Sequence, residues 1–229
     1  MQTYRGFFKY LIMKSLFIPY LSELNTLSVD KASDYLDENG TRISVETVNW
    51  PEKFGYKPLT TVCVGYSNSA IHALFQVHGN CLRAVNTQDN QNVFEDSCVE
   101  FFVKKPDSDF YYNFEFNCIG VCKAAKHLKD RNNATDLTQD QMHKIGRWSS
   151  LGNRAFNELS GLFSWELHIS IPFELIDIDP KNLPDKILGN FYKCADATDQ
   201  PHFVSWNPIK TEKPDFHRPE FFGEIFLVR

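Results

Sequence analysis

The ten residues 111–120, YYNFEFNCIG, alternate strictly. Tyr112, Phe114 and Phe116 fall on one side of an extended chain; Asn113, Glu115 and Asn117 fall on the other. A period of two is the pattern of a β-strand with one buried face. A chain carrying such a strand must pair it with others and cover its aromatic side. The rest of the sequence supplies partners. Residues 60–66 are rich in β-formers. Residues 70–77 place Ile71, Ala73, Phe75 and Val77 on one face. Residues 81–86 set Leu82 and Ala84 opposite Arg83, and 97–103 project Glu100 from the polar side of an apolar run. In 163–171, Trp165, Leu167, Ile169 and Ile171 point inward and Glu166, His168 and Ser170 outward. Residues 188–194 and 224–228 complete the set. Lys57-Pro58, His78-Gly79-Asn80 and Pro106-Asp107-Ser108-Asp109 punctuate the strands as turns. Helical periodicity is confined to 28–36 and 137–145. The pattern predicts an all-β chain, an antiparallel sandwich or barrel, with a few short helices in excursions. Residues 123–153 are the least strand-like and read as a long excursion from one edge. No linker divides the 229 residues, so residues 1–229 are expected to form a single domain.

Charge and motifs narrow the function. The formal net charge of -5 weighs against a protein that tracks nucleic-acid phosphates. No Gly-rich phosphate loop, Gly-x-Ser-x-Gly elbow or His-Glu-x-x-His sequence is present. Cys63, Cys81, Cys98, Cys118, Cys122 and Cys194 read mostly as free thiols in strands, which favours a cytoplasmic setting over secretion. The apolar, basic residues 1–18 read as an extension or a weak signal-like segment, with Met13 as an alternative start. Their apolar run is far shorter than the ~20 residues of a membrane span.

The polar row of 111–120 is either solvated surface or the floor of a site. If 81–86, 97–103 and 111–120 are adjacent strands, Arg83, Glu100, Asn113, Glu115 and Asn117 share one face. Fork-shaped donors and planar acceptors of this kind meet vicinal hydroxyls well. A second candidate is the proline-rich stretch PHFVSWNPIKTEKPDFHRPEFFGEIFL, which holds Trp206, His202, His217 and Arg218. Prolines stiffen it, so a ligand it captures costs less ordering entropy. Asp96, Asp107, Asp109, Asp196 and Asp199 offer oxygen ligands for Ca²⁺. They show no ordered spacing, so no defined metal site and no cofactor are expected, and a calcium would have no assigned position.

The segments FEDSCVEFFV, YYNFEFNCIG, GNFYKCADATDQPHFVSW and PDFHRPEFFGEIF resemble, in this order, the signature segments of family 9-like carbohydrate-binding modules of the DOMON-like group. The resemblance runs from Trp50 to Leu227. It implies a jelly-roll-like β-sandwich that binds a mono- or oligosaccharide without cleaving it, as in modules attached to xylanases. Members grip a sugar between two Trp rings, for which Trp206 and Trp148 are the candidates here. Arg83, Glu115 and Asn117 would be polar partners, joined by Asn113, Glu100, His217, Arg218 and His202. A monomer is expected. Two other readings remain: a glycosidase using Glu100 and Glu115 as paired carboxylates, and a haem-binding redox domain with His72, His78, His202 or Met142 as axial ligands.

Overall fold

The computed structural model describes residues 13–129 and 132–229. Its first elements are β1 (Ser15–Pro19), α1 (Val29–Asn39), β2 (Thr41–Ser44), β3 (Thr47–Val48), β4 (Leu59–Tyr66) and β5 (Ala70–Ala84). A meander follows: β6 (Cys98–Lys104), β7 (Phe110–Asn117), β8 (Cys122–Leu128) and β9 (Ala134–Asp136). Then come α2 (Gln139–Met142), β10 (Gly146–Ser149), β11 (Phe156–Pro172), β12 (Lys186–Cys194), β13 (Phe203–Ser205) and β14 (Gly223–Val228). Among the described residues, nine strands form one sheet along β1-β14-β12-β6-β7-β8-β9, with β13 on β12 and β3 on β13. The other five run β10-β11-β5-β4-β2. The two open sheets make the expected all-β sandwich. Pairing is antiparallel except at the edge, where β1 lies parallel to β14.

The core lies between the sheets, built from the faces that the alternation marks. Phe101 and Phe191 stack across β6 and β12 with centroids 4.6 Å apart. Phe75 of the five-stranded sheet meets Phe191 edge-on at 6.1 Å. Burial of each such ring stabilises the fold by about 1.5–3 kcal/mol. The outer face of the nine-stranded sheet is also covered. Phe102, Tyr111 and Tyr192 pack there with Trp50, Phe216 and Phe222, so the C-terminal segment closes over the sheet. Tyr192 stacks on Phe216 at 4.2 Å. The Trp50 indole N–H donates to the Thr211 carbonyl and holds the segment down. On the opposite side of the molecule, α1 lays Ala32 and Leu36 on Cys63 and Leu74 of the five-stranded sheet.

Several expectations are corrected. His78-Gly79-Asn80 is not a turn: it runs inside the continuous strand β5, paired with β4 and β11. Arg83 therefore belongs to the five-stranded sheet, and 81–86 is not a neighbour of β6. Residues 123–153 are not all excursion, because β8 is a full strand beside β7. Of residues 1–18, the first twelve lie outside the described residues, while Ser15–Pro19 form β1 with Leu16 and Ile18 buried in the core. The cysteines, in contrast, are as expected: all six are free thiols.

Under α1, the rings of His72 and His168 lie side by side, with His72 Nδ1 3.3 Å from His168 Nε2 and His72 Nε2 3.1 Å from the Ser67 hydroxyl. Burial, and then the neighbouring His168, lowers His72 to about 3. Burial lowers His168 to about 4. Both are neutral in the fold, whereas in the unfolded chain they titrate near 6.5. Between these values the unfolded chain binds more protons, so stability is full above about pH 6.5 and is lost as pH falls toward 4. Urea midpoints measured from pH 7.5 to 4.5 are expected to decline through this window, and less steeply in His72→Gln.

Candidate functional site

A cavity of about 350 Å³ opens on the outer face of the nine-stranded sheet. Its floor follows from strand register. Glu100 of β6 stands directly opposite Glu115 of β7. Glu115 faces Lys123 of β8, Asn113 faces Ala125, and Tyr111 faces His127. Directly paired residues project from the same face of a sheet, so these side chains rise together. The C-terminal segment supplies Asp215, Phe216 and His217 as one wall; Phe94, Asp196 and Phe203 form another. Gly120 makes the tight β7–β8 connection possible, because its φ of +83° is left-handed.

The floor is a connected polar array. The Asn113 side-chain amide donates to Glu115 Oε1 at 2.8 Å. Its carbonyl accepts from the Ala125 N–H at 3.0 Å and from His127 Nε2 at 2.9 Å. Tyr111 stacks on His127 at 4.8 Å and its hydroxyl meets His217 Nδ1 at 2.9 Å. With that hydroxyl donating to Nδ1, the Nε2 hydrogen of His217 faces Glu115 Oε1, 4.0 Å away. Glu100 is buried and accepts from the Cys194 thiol at 3.1 Å. Burial, and next the charge of Glu115, holds its carboxyl well above the usual carboxylate range. Pushed toward its neutral form beside Glu115, Glu100 gains an O–H donor as well as acceptors. Such a pair can meet a hydroxyl in either of its hydrogen-bonding roles.

Of the residues expected from sequence, Glu100, Asn113, Glu115 and His217 line this cavity. The others lie elsewhere. Trp206 is 3% exposed and packed in the core against Phe191, because alternation in β13 and the residues after it turns the indole inward. Trp148 sits on β10 opposite His168, on the outer face of the five-stranded sheet and so on the far side of the molecule. Neither indole can stack on a ligand in the cavity. Arg83 and Asn117 instead serve Asp96, which is fully buried. Its Oδ1 accepts from Arg83 Nη1 and the Val85 N–H; its Oδ2 accepts from the Asn86 N–H and side chain and from Asn117 Nδ2. This network ties the end of β5 to β7 and to the turn that carries Phe94. Arg218 pairs with Asp215 Oδ2 at 2.7 Å and so braces the cavity wall from outside. His202 is buried against Tyr56 and accepts from Lys193 Nζ at 2.9 Å.

The proposed haem ligands do not converge. His72 lies under α1, Met142 is in the core, His202 is held by Lys193, and His78 is exposed beside Ser164. Among the described residues, three donors of His, Cys, Asp or Glu come together at Cys98, Glu100 and Cys194, a grouping with none of the aspartates named for calcium.

Sequence reasoning missed Phe94, Lys123, His127, Phe203 and Phe216. Lys123 and His127 carry a readable signal: residues 122–128 alternate Cys122 and Ala124 inward against Lys123, Ala125 and His127 outward. The phenylalanines carry none, since nothing local separates them from core rings.

Removing Asp96 leaves Arg83, Asn86 and Asn117 without their common acceptor. Asp96→Ala is expected to cost about 3–5 kcal/mol in urea unfolding. The carboxylic-acid C=O stretch of Glu100, missing in Glu100→Gln, is expected to persist in an infrared pH titration to pH values above the ordinary carboxylate range.

The family model for carbohydrate-binding family 9 matches residues 30–227. A crystal structure from Bacteroides uniformis ATCC 8492, provisionally described as a carbohydrate-binding protein, superposes with a TM-score of 0.88 at 34% identity; the match covers 94% of this chain and 100% of that one. A family 9 module from Caldicellulosiruptor kristjanssonii in complex with glucose matches with a TM-score of 0.61 at 14% identity, over 94% of this chain and 97% of that one. The module from the same organism in complex with cellotriose matches with a TM-score of 0.60 at 13% identity, over 94% of both chains. At these identities, the two complexes bear on the fold alone. A search of curated proteins returned no match. No described helix is long and apolar enough to cross a membrane. By its sequence from residue 30 to residue 227, the chain belongs to carbohydrate-binding family 9.

Proposed function

We propose that this protein binds a mono- or oligosaccharide, without cleaving it, in the cavity over β6, β7 and β8. The observation that carries the reading is the floor itself. Glu100, Asn113 and Glu115 are buried, mutually oriented and open to a cavity of about 350 Å³, in a chain of a carbohydrate-binding family. That volume lies within the roughly 300–1,000 Å³ of small-molecule sites. Hydroxyls of a pyranose would exchange hydrogen bonds with the floor. The sugar's C–H face would lie on Phe94 or Phe203, which take the place expected for Trp206 and Trp148. Both rings are only half-buried, and Lys123 Nζ already lies 5.2 Å from the Phe94 centroid, a site where a ring can meet a polar partner. Glu100 and Glu115 stand side by side on one floor, whereas glycoside hydrolysis calls for carboxylates that flank the scissile bond. That arrangement favours holding a sugar over breaking it.

Calorimetry with glucose, xylose, cellobiose and cellotriose is the test. The expected dissociation constant for the fitting sugar is about micromolar to millimolar. Phe94→Ala is expected to weaken binding roughly tenfold, the equivalent of about 1.4 kcal/mol. Trp148→Phe, on the opposite side of the molecule, should leave affinity unchanged. Heat with no sugar at high protein concentration, or equal loss in the two variants, overturns the reading.

A further inference from the structure

At the back of the cavity floor, Cys98 and Glu100 lie two residues apart on one face of β6. Cys194 of β12 stands directly opposite Cys98. The three donor atoms lie within 4.8 Å of one another. Glu100 Oε1 is 3.1 Å from Cys194 Sγ and 3.9 Å from Cys98 Sγ. Around a tetrahedral zinc, with Zn–S bonds of about 2.3 Å and Zn–O bonds of about 2.1 Å, neighbouring ligand atoms are separated by roughly 3.5–3.8 Å. The two oxygen–sulfur spacings bracket that value, and the two sulfurs lie within 4.8 Å of each other. All three residues sit in the middle strands of the nine-stranded sheet, so little rearrangement is needed to close them on an ion. Cys194 and Glu100 also line the cavity, which gives an ion a route in and leaves one side facing the opening.

We propose that Cys98, Glu100 and Cys194 form a three-ligand site for a thiophilic divalent cation, with Zn²⁺ the best fit and a fourth coordination position open to the cavity. Two sulfurs select a soft or borderline ion over Ca²⁺ or Mg²⁺, which take oxygen ligands. Each thiol, and the Glu100 carboxyl in its neutral form, gives its proton to solvent as its bond to the metal forms, and no electron is transferred. The site is built from ligand spacing alone and does not rest on the saccharide reading, so the test contains no sugar.

The full chain, kept reduced with a phosphine and freed of metal, is titrated with Co²⁺ and then with Zn²⁺. One equivalent of Co²⁺ is expected to produce thiolate-to-metal charge-transfer absorption in the near ultraviolet, which Zn²⁺ abolishes. Cys98→Ser and Cys194→Ser should each remove the band, Glu100→Gln should weaken Co²⁺ binding at least tenfold, and Cys63→Ser, on the other sheet, should keep the band unchanged. Because a β6 variant could lose its fold, X-ray absorption on the zinc-loaded unaltered protein gives a separate reading, with two sulfur neighbours expected. No charge-transfer band, a band that survives loss of both Cys98 and Cys194, or an all-oxygen and nitrogen shell overturns the proposal.

Discussion

Phe101 and Phe191 stack nearly parallel, 11° apart, across β6 and β12. Phe75 reaches them from the other sheet and Trp206 from beyond β13. This cluster locks the register of two central strands. In a sheet a slip of one residue exchanges the two faces. With Phe101 and Phe191 committed to the interior, Cys98, Glu100, Phe102, Tyr192 and Cys194 have no choice but the outer face. The polar floor is thus the reverse side of the aromatic core, and the same pairing that buries the rings places the carboxyl and the thiols.

An outer sheet face is normally wet, and polar residues there cost nothing. Here the C-terminal segment covers it, pinned by Trp50 and by the Tyr192–Phe216 stack. Covering changes the electrostatics of every group underneath. Glu100 is pushed toward its neutral form. Asn113 is satisfied on both its amide and its carbonyl, so the side chain of Glu115 has a set direction. A site of this type is preorganised: its groups already stand in place when a ligand arrives, and less ordering entropy is lost on binding. The Asp96 network serves the same end from the side. It fastens the turn bearing Phe94 to β7 through Asn117 and to the other sheet through Arg83.

Which of the expected residues reach the cavity has a physical pattern. Asn113 and Glu115 were readable because their own strand alternates cleanly, and Glu100 because the apolar run around it does. His217 was readable because a proline-rich segment near the chain end is a natural cover. Arg83 was misplaced because a glycine and an asparagine after His78 imitate a turn, although in β5 the chain passes straight through them. The tryptophans were misjudged for a different reason. An indole in a stiff loop can face either way, and the direction of Trp206 is set by its fit against Phe191 and the bare Cα of Gly223, where an added Cβ would meet the ring at 2.8 Å.

Local chemistry along the chain was therefore enough to establish an all-β sandwich, the faces of most strands and the polar character of one row, because period-two patterning is a property of neighbouring residues. Which sheet receives each strand, which rings are left at the cavity mouth and which thiols stand beside Glu100 all follow from pairings between residues far apart in sequence. Cys98 and Cys194 are the clearest case. They are ninety-six positions apart, and only the register of β6 on β12, set by packing on the opposite face, makes them neighbours.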